Sequence, residues 1–562
     1  MFQFQRTMGL AKTIITFTKN IRKVRHFRYF TSYRPNNSHT IFALSSGSGK
    51  CGVAVIRISG PKAKLAIERI VGDKANIKLK PRTAALLKLY EPNTQEMLDK
   101  ALVLWFPGPH SFTGEDIVEF HVHGGSAVIS SVLTALGSIA GLKPAQPGEF
   151  AKQAFVNGKL DLTEVEGLGD LIHAETEVQR RQALRQMGGE LGQIYSQWRT
   201  RLIKCLANTE AFIDFHEEEN IEDDILDSVI AEISKIKNEV SAHLQDCRHG
   251  ERRRDGLHVV IIGEPNVGKS SLLNAICQRP AAIVSTIAGT TRDVVETALN
   301  IAGYPVLLSD TAGLQNTSDV VEKEGILRAM ARATAADLKI IVLDISKHAN
   351  ILLTSPSFEN FIASYMGCLG VLQDQIDDSN ISKSAPGFFS QLKSENQKTI
   401  FKTAGETDTY ITFFKSFEEQ SSISKKLRTF DLSNILIVVN KSDMVADNKI
   451  LDFIQAHSDV MCRISCKSGD GFDSFMKKLV ERIQNLCGNP TVGSPSLTQA
   501  RHRHHLNKCQ QYLTEFPPYL QNDVVMAAEK LRLAVRELAN ITGAVSTEDV
   551  LDVIFRDFCI GK

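Results

Sequence analysis

Residues 263–270 have the spacing of a phosphate-binding loop, with the sequence GEPNVGKS after an apolar run at 259–262. Glycines let backbone N–H groups crowd around phosphate oxygens, and Gly268 precedes a lysine that can reach the β- and γ-phosphates. The next residue, Ser270, can offer its hydroxyl to Mg²⁺. Taken alone, this pattern predicts a site for a nucleotide phosphate and leaves the base open.

Three further segments follow in the order that a GTPase requires. They are GTTRD at 289–293, DTAG at 310–313 and NKSD at 440–443, and the last two each close an apolar run. Thr291 can close on Mg²⁺, Asp310 can hold the ion through water, and Gly313 can sense the γ-phosphate. This order favours GTP binding over a chance loop in another α/β enzyme.

Selectivity for guanine is predicted from Asp443, because its carboxylate can accept hydrogen bonds from the N1–H and the exocyclic amine that adenine lacks. Residues 465–467, with the sequence SCK, look like the loop that completes the guanine pocket. Ser270 and Thr291 are the predicted Mg²⁺ ligands. The predicted GTP-binding residues are Asn266, Gly268, Lys269, Ser270, Ser271, Thr290, Asp310, Gly313, Asn440, Lys441, Asp443, Ser465 and Lys467.

One position departs from GTPases of the Ras type. Leu314 stands where those proteins carry the glutamine that orients the attacking water. A leucine side chain has no hydrogen-bonding group and cannot orient water. Hydrolysis must therefore use a different group, a metal ion or a partner.

Length and composition bound the remaining possibilities. A chain of 562 residues predicts several domains, and no apolar run reaches the ~18 residues of a membrane span. The net charge of +1 gives no bulk attraction for nucleic acid, so any RNA site must be a local patch.

The cysteines show no Cys-x-x-Cys spacing, which disfavours a zinc site and favours a reducing compartment. His121 and His123 lack a matching carboxylate or cysteine partner in the sequence, which favours packing over metal binding.

Residues 1–39 contain eight lysines and arginines, interleaved Phe, Ile and Leu, several hydroxyl-bearing residues and no Asp or Glu. This composition is typical of a mitochondrial transit peptide and predicts the mitochondrial matrix as the location. A basic arm that binds RNA is the alternative that composition leaves open.

The next segment, 40–155, predicts a compact α+β domain. Residues 53–58 and 101–106 have strand character, while 126–141 has the character of a buried helix. Beyond residue 155 the apolar period becomes helical.

Helical segments at 156–250 and 488–562 flank the G domain at 251–487. A G domain between two helical segments predicts insertion of one domain into another, since inserted domains usually have neighbouring termini. The predicted fold class is multidomain, α/β and all-α, with an N-terminal α+β domain, a split helical domain and an inserted Ras-like P-loop G domain. Within the G domain, 347–430 is long and rich in Ser, Asp, Gln and Lys, which favours a partly disordered surface insertion.

The remaining motifs identify a family. They are TIFAL at 40–44, GVAVIRISG at 52–60, SFTGEDIVE at 111–119, HGG at 123–125, PGEF at 147–150, AFVNGKLDL at 154–162 and CIGK at 559–562. Together with the G domain, they resemble the MnmE (TrmE) family of tRNA-modification GTPases in its mitochondrial form. The resemblance extends from about residue 40 to the end of the chain.

This resemblance implies an N-terminal dimerising domain that binds a tetrahydrofolate, a split helical domain and the inserted G domain. It implies GTP-dependent modification of C5 of the wobble uridine of certain tRNAs, of the taurinomethyl or carboxymethylaminomethyl type. The implied one-carbon donor is 5-formyl- or methylene-tetrahydrofolate. The implied assembly is a homodimer that works with a FAD-dependent MnmG-type partner.

Carried over onto this sequence, the resemblance implies a folate site of Arg57, Glu119, Lys159 and Lys562. The chemistry fits, because folate carboxylates attract cations and the pterin edge suits a carboxylate acceptor. Without the resemblance, Arg57 is a surface strand residue and Lys159 a cation at a helix start. Cys559 is a candidate catalytic thiol, and a packed thiol that anchors the tail is the alternative.

The resemblance also implies that K⁺ binds beside the γ-phosphate in a dimer of G domains, where it acts like an arginine finger. Asn266 matches the K⁺-binding asparagine, and 285–290 matches the loop that caps the ion. The implied K⁺ ligands are Asn266, Ser285, Ile287 and Thr290. Glu322 matches the glutamate that orients water through a second water molecule, and without the family it is an exposed helix carboxylate. Glu322, Thr291 and Cys559 are the predicted catalytic residues.

Two positions depart from the family pattern. Lys50 stands where an arginine is usual. Lysine keeps the positive charge but cannot make the two parallel hydrogen bonds that an arginine makes to a phosphate or carboxylate. Ser285 stands where bacterial members have threonine, which leaves a backbone ligand unaffected.

The leading hypothesis is therefore a GTP hydrolase that acts in tRNA wobble uridine modification. The main alternative is a mitochondrial ribosome-assembly GTPase that binds rRNA, although neither a KH-like loop nor a second phosphate loop is evident in the sequence. A scaffold that binds GTP without hydrolysis is disfavoured by the presence of Lys269, Ser270, Thr291, Asp310 and Glu322.

Overall fold

The computed structural model describes much of the chain from residue 39 onward. The described residues are 39–47, 49–71, 79–215, 224–245, 248–264, 266–278, 282–284, 296–310, 335–354, 434–444, 448–489, 495–545, 551, 554–556, 558 and 560–561. The predicted transit peptide lies outside them except for position 39. Of the predicted insertion at 347–430, the described part is 347–354, which belongs to a helix.

The strands are β1 (Thr40–Leu44), β2 (Cys51–Ser59), β3 (Ala85–Tyr90), β4 (Met97–Phe106), β5 (Ile117–Gly124), β6 (Leu142–Pro144), β7 (Leu257–Ile262), β8 (Ala282–Val284), β9 (Glu296–Ile301), β10 (Tyr304–Asp310), β11 (Leu338–Asp344), β12 (Ile435–Asn440) and β13 (Met461–Arg463). The helices are α1 (Ala63–Val71), α2 (Ser126–Gly137), α3 (Glu149–Val156), α4 (Leu162–His173), α5 (Glu177–Met187), α6 (Glu190–Phe215), α7 (Asp224–Leu244), α8 (His249–Asp255), α9 (Lys269–Cys277), α10 (Ile345–Thr354), α11 (Asn448–Ala456), α12 (Phe472–Cys487), α13 (Ala500–Asn522) and α14 (Val524–Thr542).

The chain divides into two compact units. Of the described residues, those within 1–169, 192–230 and 511–562 form the first unit, and those within 170–191 and 231–510 form the second. Each unit has its own sheet.

The first unit contains a six-stranded sheet in the order β3-β4-β5-β2-β1-β6. Neighbouring strands are antiparallel except β1 and β6, which are parallel. Helices α1 and α2 pack on one face, over a core that includes Ile56, Ile58 and Phe120. On the opposite face, Val53 and Leu102 are exposed. This second face, the open face, is therefore exposed around Val53 and Leu102, whereas at β1 it is covered, since Ile41 and Ala43 are buried in a cluster with Phe150.

Strand β5 shows how the sequence produces this arrangement. Its side chains alternate, with Val118, Phe120 and Val122 buried in the core and Glu119 and His121 on the other face. Alternation of apolar and polar residues with a period of two places one set in the core and the other on the open face. The polar residues of β5 therefore become available for a site on the sheet itself.

The first unit also joins the two helical segments of the sequence. Glu210 of α6 accepts hydrogen bonds from the Arg532 guanidinium of α14, at 3.0 Å from Nη2 and 3.2 Å from Nε. Near the C-terminus, the Phe555 ring lies 6.4 Å from that of Phe155, between ring centroids.

The second unit contains a seven-stranded sheet in the order β13-β12-β11-β7-β10-β9-β8. Strands from β13 to β10 are parallel, and β9 and β8 run antiparallel to their neighbours. Both faces are covered, with separate apolar clusters on the two sides. All six residues of β12 are buried, as expected for a parallel strand covered on both faces.

The predicted combination of α+β, all-α and α/β parts is confirmed by these elements. The predicted strands 53–58 and 101–106 lie within β2 and β4. The predicted helix at 126–141 ends earlier, at Gly137, where the Ser138 N–H bonds back to Thr134. The apolar pattern predicts a further helical turn at 138–141, but the chain turns there to enter β6.

Candidate functional site

The described residues of the phosphate loop, 263–264 and 266–268, lie between β7 and α9 at the carboxyl end of the central strand of the second sheet. Gly268 ends the loop with φ +101°, and a side chain there would collide with that of Asn440. Lys269 is buried, and its Nζ donates to the carbonyl oxygens of Gly263 at 2.9 Å and Glu264 at 2.8 Å. The ammonium group is thus held within the loop that would surround a phosphate.

The rim of this loop carries three of the predicted residues. Asn266 is exposed and has φ +66°, a left-handed conformation that is uncommon for residues other than glycine. Ser270 and Ser271 are exposed in the first turn of α9. Backbone N–H groups at a helix N-terminus and the helix dipole favour an anion, which suits the predicted phosphate position.

Asn440 connects the loops around this site. It ends β12, is buried, and its Nδ2 donates to the Val267 carbonyl at 2.9 Å. Its Oδ1 accepts from the backbone N–H of Cys466 at 3.1 Å. The Asn440 side chain therefore joins the phosphate loop to the loop at 465–467.

The guanine-reading carboxylate has a defined partner. Asp443 lies in the short 3₁₀ turn Ser442–Met444, and the buried Ser465 hydroxyl donates to its Oδ1 at 2.7 Å. This hydrogen bond holds the pKa of the Asp443 carboxyl below its ordinary value, and the nearby Lys467 charge acts in the same direction. Asp443 is therefore ionised at neutral pH and can accept two hydrogen bonds from a guanine edge.

A further residue of the guanine side was missed by sequence analysis. Asp344 ends β11, is buried, and accepts from Lys441 Nζ at 2.6 Å. Burial opposes its ionisation, yet hydrogen bonds from Lys441 and Ser346 lower the pKa of the Asp344 carboxyl overall. The available signal was an acidic residue at the end of an apolar strand, because polar groups of parallel sheets collect at such ends.

Several predicted site residues lie outside the described part of the chain. These are Ser285, Ile287, Thr290, Thr291, Gly313, Glu322, Cys559 and Lys562. The backbone of Asp310 is described, and it ends β10 beside Ile261 of β7. The structure thus brings the phosphate loop, the end of β10, the NKSD segment and the SCK loop to one edge of the second sheet.

A second cluster lies on the open face of the first sheet. Arg57 of β2 and Glu119 of β5 are direct cross-strand partners. The Arg57 guanidinium donates to Glu119 Oε1 from Nε at 3.0 Å and from Nη2 at 2.9 Å. Their side chains are 22% and 17% exposed, so the pair is half-buried and still reachable. His121, two residues along β5, lies 3.4 Å from Glu119 Oε2 through its Nε2.

Aromatic rings flank this cluster. The Arg57 guanidinium carbon lies 5.7 Å from the Phe112 ring centroid and 5.9 Å from that of Phe150. Lys159 Nζ donates to the carbonyl of Pro109 at 2.9 Å, and Pro109 belongs to the same β4–β5 loop as Phe112. The structure therefore pairs Arg57 with Glu119 directly and places Lys159 on the adjoining loop.

The C-terminal tail docks near the same sheet. Pro147 and Ile560 form an isolated antiparallel bridge, and the Ser45 hydroxyl donates to the Gly561 carbonyl at 2.7 Å. Gly561 has φ +93°, and a side chain there would collide with the Leu44 backbone. These contacts hold the residues between Cys559 and Lys562 against the end of β1.

The histidines of β5 correct one sequence expectation. Both have carboxylate partners that sequence analysis did not find, since His121 contacts Glu119 and His123 Nδ1 lies 2.7 Å from Asp99 Oδ1. Cross-strand pairing supplies Asp99 from 24 residues away. In the described residues no group of three His, Cys, Asp or Glu side chains is arranged to hold a metal ion.

Comparison with known proteins places this geometry in a family. A family model described as the GTP-binding protein TrmE N-terminus matches residues 40–159, and one described as the MnmE helical domain matches 162–559. The chain belongs to the MnmE (TrmE) family of tRNA modification GTPases. The family recognised from its motifs is therefore confirmed.

Relatives of this MnmE-family chain come from animals and bacteria. It is 48% identical to a mitochondrial 5-taurinomethyluridine tRNA synthase subunit of Danio rerio over 95% of both chains. It is 44% identical to the protein of the same name of Homo sapiens over 94% of both chains. It is 43% identical to the tRNA modification GTPase MnmE of Parvibaculum lavamentivorans, over 93% of this chain and 100% of that one.

Membership in the MnmE family makes the chain a tRNA modification GTPase, and a GTPase binds GTP. Its animal relatives are mitochondrial. No helix among the described residues has the length and apolarity needed to cross a membrane.

Proposed function

We propose that this chain is the GTP-hydrolysing subunit of a complex that modifies C5 of the wobble uridine of mitochondrial tRNAs. The observation that carries the proposal is a guanine-type loop cluster, Asn440 with Asp443 and Ser465, in a chain of the MnmE family. The relatives named 5-taurinomethyluridine tRNA synthase subunits support a taurinomethyl product over a carboxymethylaminomethyl one. The word subunit in those names supports a second component, for which we propose a FAD-dependent MnmG-type protein.

In the proposed nucleotide site, Asp443 accepts from the guanine edge, and Lys269, whose Nζ is held at two loop carbonyls, reaches the β- and γ-phosphates. The exposed Ser270 hydroxyl fits a Mg²⁺ ligand, with Thr291 as the second. Asn266, exposed at the loop rim, fits a K⁺ ligand, and we propose Ser285, Ile287 and Thr290 as its companions. Glu322 would orient the attacking water, which Leu314 cannot do. Bound K⁺ would supply positive charge beside the γ-phosphate.

In the proposed folate site, Arg57 and Glu119 meet on the open face of the first sheet. The cluster suits a tetrahydrofolate, because a half-buried carboxylate can accept hydrogen bonds from the pterin edge and flanking rings can stack. We propose Lys159 and Lys562 as cations for the folate carboxylates, and Cys559 as a thiol for the modification step. Folate would supply the one-carbon unit when bound, in the formyl or methylene form.

The domain division and location follow the same proposal. We propose a transit peptide at 1–39, a folate-binding and dimerising domain at 40–155, a helical domain from 156–250 and 488–562, and a G domain at 251–487. The mitochondrial relatives support a mitochondrial location, for which we propose the matrix. The homodimer would pair the nucleotide faces of two G domains.

GTP turnover by the full-length chain in K⁺ and in Na⁺ tests the nucleotide part. We expect strong stimulation by K⁺ in the wild type and its loss in both Asn266→Ala and Glu322→Ala. Matched controls are Asn522→Ala and Glu481→Ala, exposed on the helices α13 and α12, which should keep the stimulation. Equal rates in the two salts for the wild type would remove K⁺ from the mechanism.

Mass spectrometry of mitochondrial tRNA tests the modification part. Cells that lack the chain should lose the C5 modification of the wobble uridine, and the wild-type gene should restore it. Restoration of ribosomal subunit assembly without any change in tRNA modification would instead support the ribosome-assembly alternative.

A further inference from the structure

A buried histidine in the second unit contacts the phosphate loop. His348 lies in the first turn of α10, directly after β11, and its side chain is 6% exposed. Its Nδ1 lies 3.0 Å from the Asp344 carbonyl oxygen, and its Nε2 lies 3.3 Å from Glu264 Oε1. The imidazole ring therefore spans from the end of β11 to the second residue of the phosphate loop.

These two contacts fix the direction of the hydrogen bonds. A carbonyl oxygen can only accept, so Nδ1 carries a hydrogen and donates it to Asp344. The contact between Nε2 and Glu264 then requires a second hydrogen, on the ring or on the carboxyl, because two bare acceptors repel. The Glu264 side chain is 15% exposed, so removal of the ring would leave a largely buried carboxyl without this partner.

Glu264 matters because its backbone holds the phosphate-binding lysine. The Glu264 carbonyl accepts from Lys269 Nζ at 2.8 Å. Its neighbour Gly263 packs so closely on β11 that a side chain there would meet the Val342 carbonyl oxygen at 2.5 Å. The first two residues of the loop are thus held against β11, one by close backbone packing and the other by His348.

Asp344 serves both halves of the nucleotide site with different atoms. Its backbone carbonyl accepts from His348, and its carboxylate accepts from Lys441 of the NKSD segment. The end of β11 therefore anchors the phosphate loop through one hydrogen-bonded path and the guanine loop through another. Removal of the His348 ring leaves the second path intact.

We propose that His348 and Glu264 are positioning residues that hold the phosphate loop in the conformation that receives the β-phosphate. The inference rests on the proposed GTPase function and adds a source of phosphate affinity to it. The two residues are 84 positions apart, and neither is one of the glycine, lysine or serine positions that define the loop pattern.

The test compares four full-length variants with the wild type: His348→Ala, Glu264→Ala, the double variant and Glu264→Gln. Dissociation constants for GDP and GTP are measured by isothermal titration calorimetry. Each alanine variant should bind both nucleotides about tenfold more weakly, since the hydrogen bond between His348 and Glu264 is lost. The double variant should bind nucleotide no more weakly than the single variant with the lower affinity, because the two residues act through one contact.

Two readouts separate positioning from general loss of structure. Glu264→Gln can meet Nε2 with its amide N–H or with its amide oxygen, so it should restore most of the affinity that Glu264→Ala loses. The ratio of GDP to inosine diphosphate affinity should stay at the wild-type value in all variants, because guanine reading uses the Asp344–Lys441 path. His457→Ala is the matched control, since its Nδ1 makes the same kind of contact with the Phe453 carbonyl.

The outcomes distinguish this inference from the function on which it rests. A wild-type chain that binds no GTP would remove the GTPase proposal itself. A wild type that binds GTP while both alanine variants bind within about twofold of it would overturn the positioning role, as would fully additive losses in the double variant. Where His348→Ala is not folded by circular dichroism, Glu264→Ala against Glu264→Gln decides the question, because both keep the ring.

Discussion

The two sheets of this chain carry their candidate sites in different places. In the parallel second sheet, site residues follow the strands, as Asn440 ends β12 and Lys269 begins the helix after β7. In the largely antiparallel first sheet, Arg57 and Glu119 lie within strands and face each other across the sheet. A parallel strand that is buried on both faces leaves no side chain for a ligand, so polar groups collect at its carboxyl end.

This difference determines how each site is held. The nucleotide site at the ends of the second sheet, here called the loop site, depends on hydrogen bonds between distant segments. Examples are the bonds that join Asn440 to the Val267 carbonyl and to the Cys466 N–H. The site of Arg57 and Glu119 on the first sheet, here called the face site, depends on strand register. A shift of β5 by one residue would turn Glu119 into the core. The loop site should therefore lose ligand affinity when a single contact between segments is removed, and the face site when its cross-strand pair is broken.

The largest expected effect is at the loop site. Asp443→Asn should weaken GDP binding about a hundredfold or more, because an amide cannot accept both hydrogen bonds from guanine. The same variant should gain affinity for xanthosine diphosphate, whose C2 carbonyl can accept from the new amide. Calorimetric titration with both nucleotides measures this exchange. Asp452→Asn, an exposed aspartate of α11, is the matched control, and an equal loss there would contradict the assignment.

Burial in the two sheets can be compared with a matched pair of valines. Val438 of β12 is 0% exposed, and Val53 of β2 is 58% exposed on the open face. Val438→Ala should lower the free energy of unfolding by about 2–3 kcal/mol, and Val53→Ala by less than about 0.5 kcal/mol. Denaturant titration of both variants measures the difference. Similar losses would mean that the open face of the first sheet is covered in solution.

A moderate effect is expected at the face site. Arg57→Ala should weaken tetrahydrofolate binding about tenfold, and Arg57→Lys should restore little, because two guanidinium nitrogens donate to Glu119. GTP turnover without folate should be unchanged, since these residues belong to the first unit. Arg69→Ala, exposed on α1, is the control. Unchanged folate affinity in Arg57→Ala would place the folate elsewhere.

The smallest effect concerns pH at the loop site. The pKa of Asp443 is lowered, first by the Ser465 hydrogen bond, so its ionised form persists as pH falls below the ordinary range of an aspartate. Guanine binding should be lost only as pH falls through this lowered pKa. Ser465→Ala should move that loss to higher pH and change affinity little at neutral pH. GDP titrations at a series of acidic pH values measure the shift, and Ser468→Ala is the control. If Ser465→Ala loses GDP binding at the same pH as the wild type, the role of Ser465 is contradicted.

Much of the loop site was predictable, because its motifs are contiguous and have fixed spacing. Lys269, Asn440 and Asp443 could each be found from a few neighbouring residues and the apolar run before them. The partners of these residues could not be found in the same way. Asp344 is 97 positions from Lys441, and no local pattern relates the two.

The face site shows the same division. Alternation along β5 predicts that Glu119 and His121 share a face, whereas the pairing of Glu119 with Arg57 depends on register across 62 positions. Sequence analysis therefore found both ends of that pair through family motifs and missed the contacts of His121 and His123.

By itself, the sequence determined the chemical groups of this protein, the local turns and helices that present them, and the family to which the chain belongs. These follow from spacing along the backbone, where sterics and hydrogen bonding act over a few residues. Only the tertiary structure decided which groups meet: Asp344 with Lys441, Arg57 with Glu119, and His348 with Glu264. Those meetings depend on how buried strands order and align in a sheet, which is set by packing of the whole core.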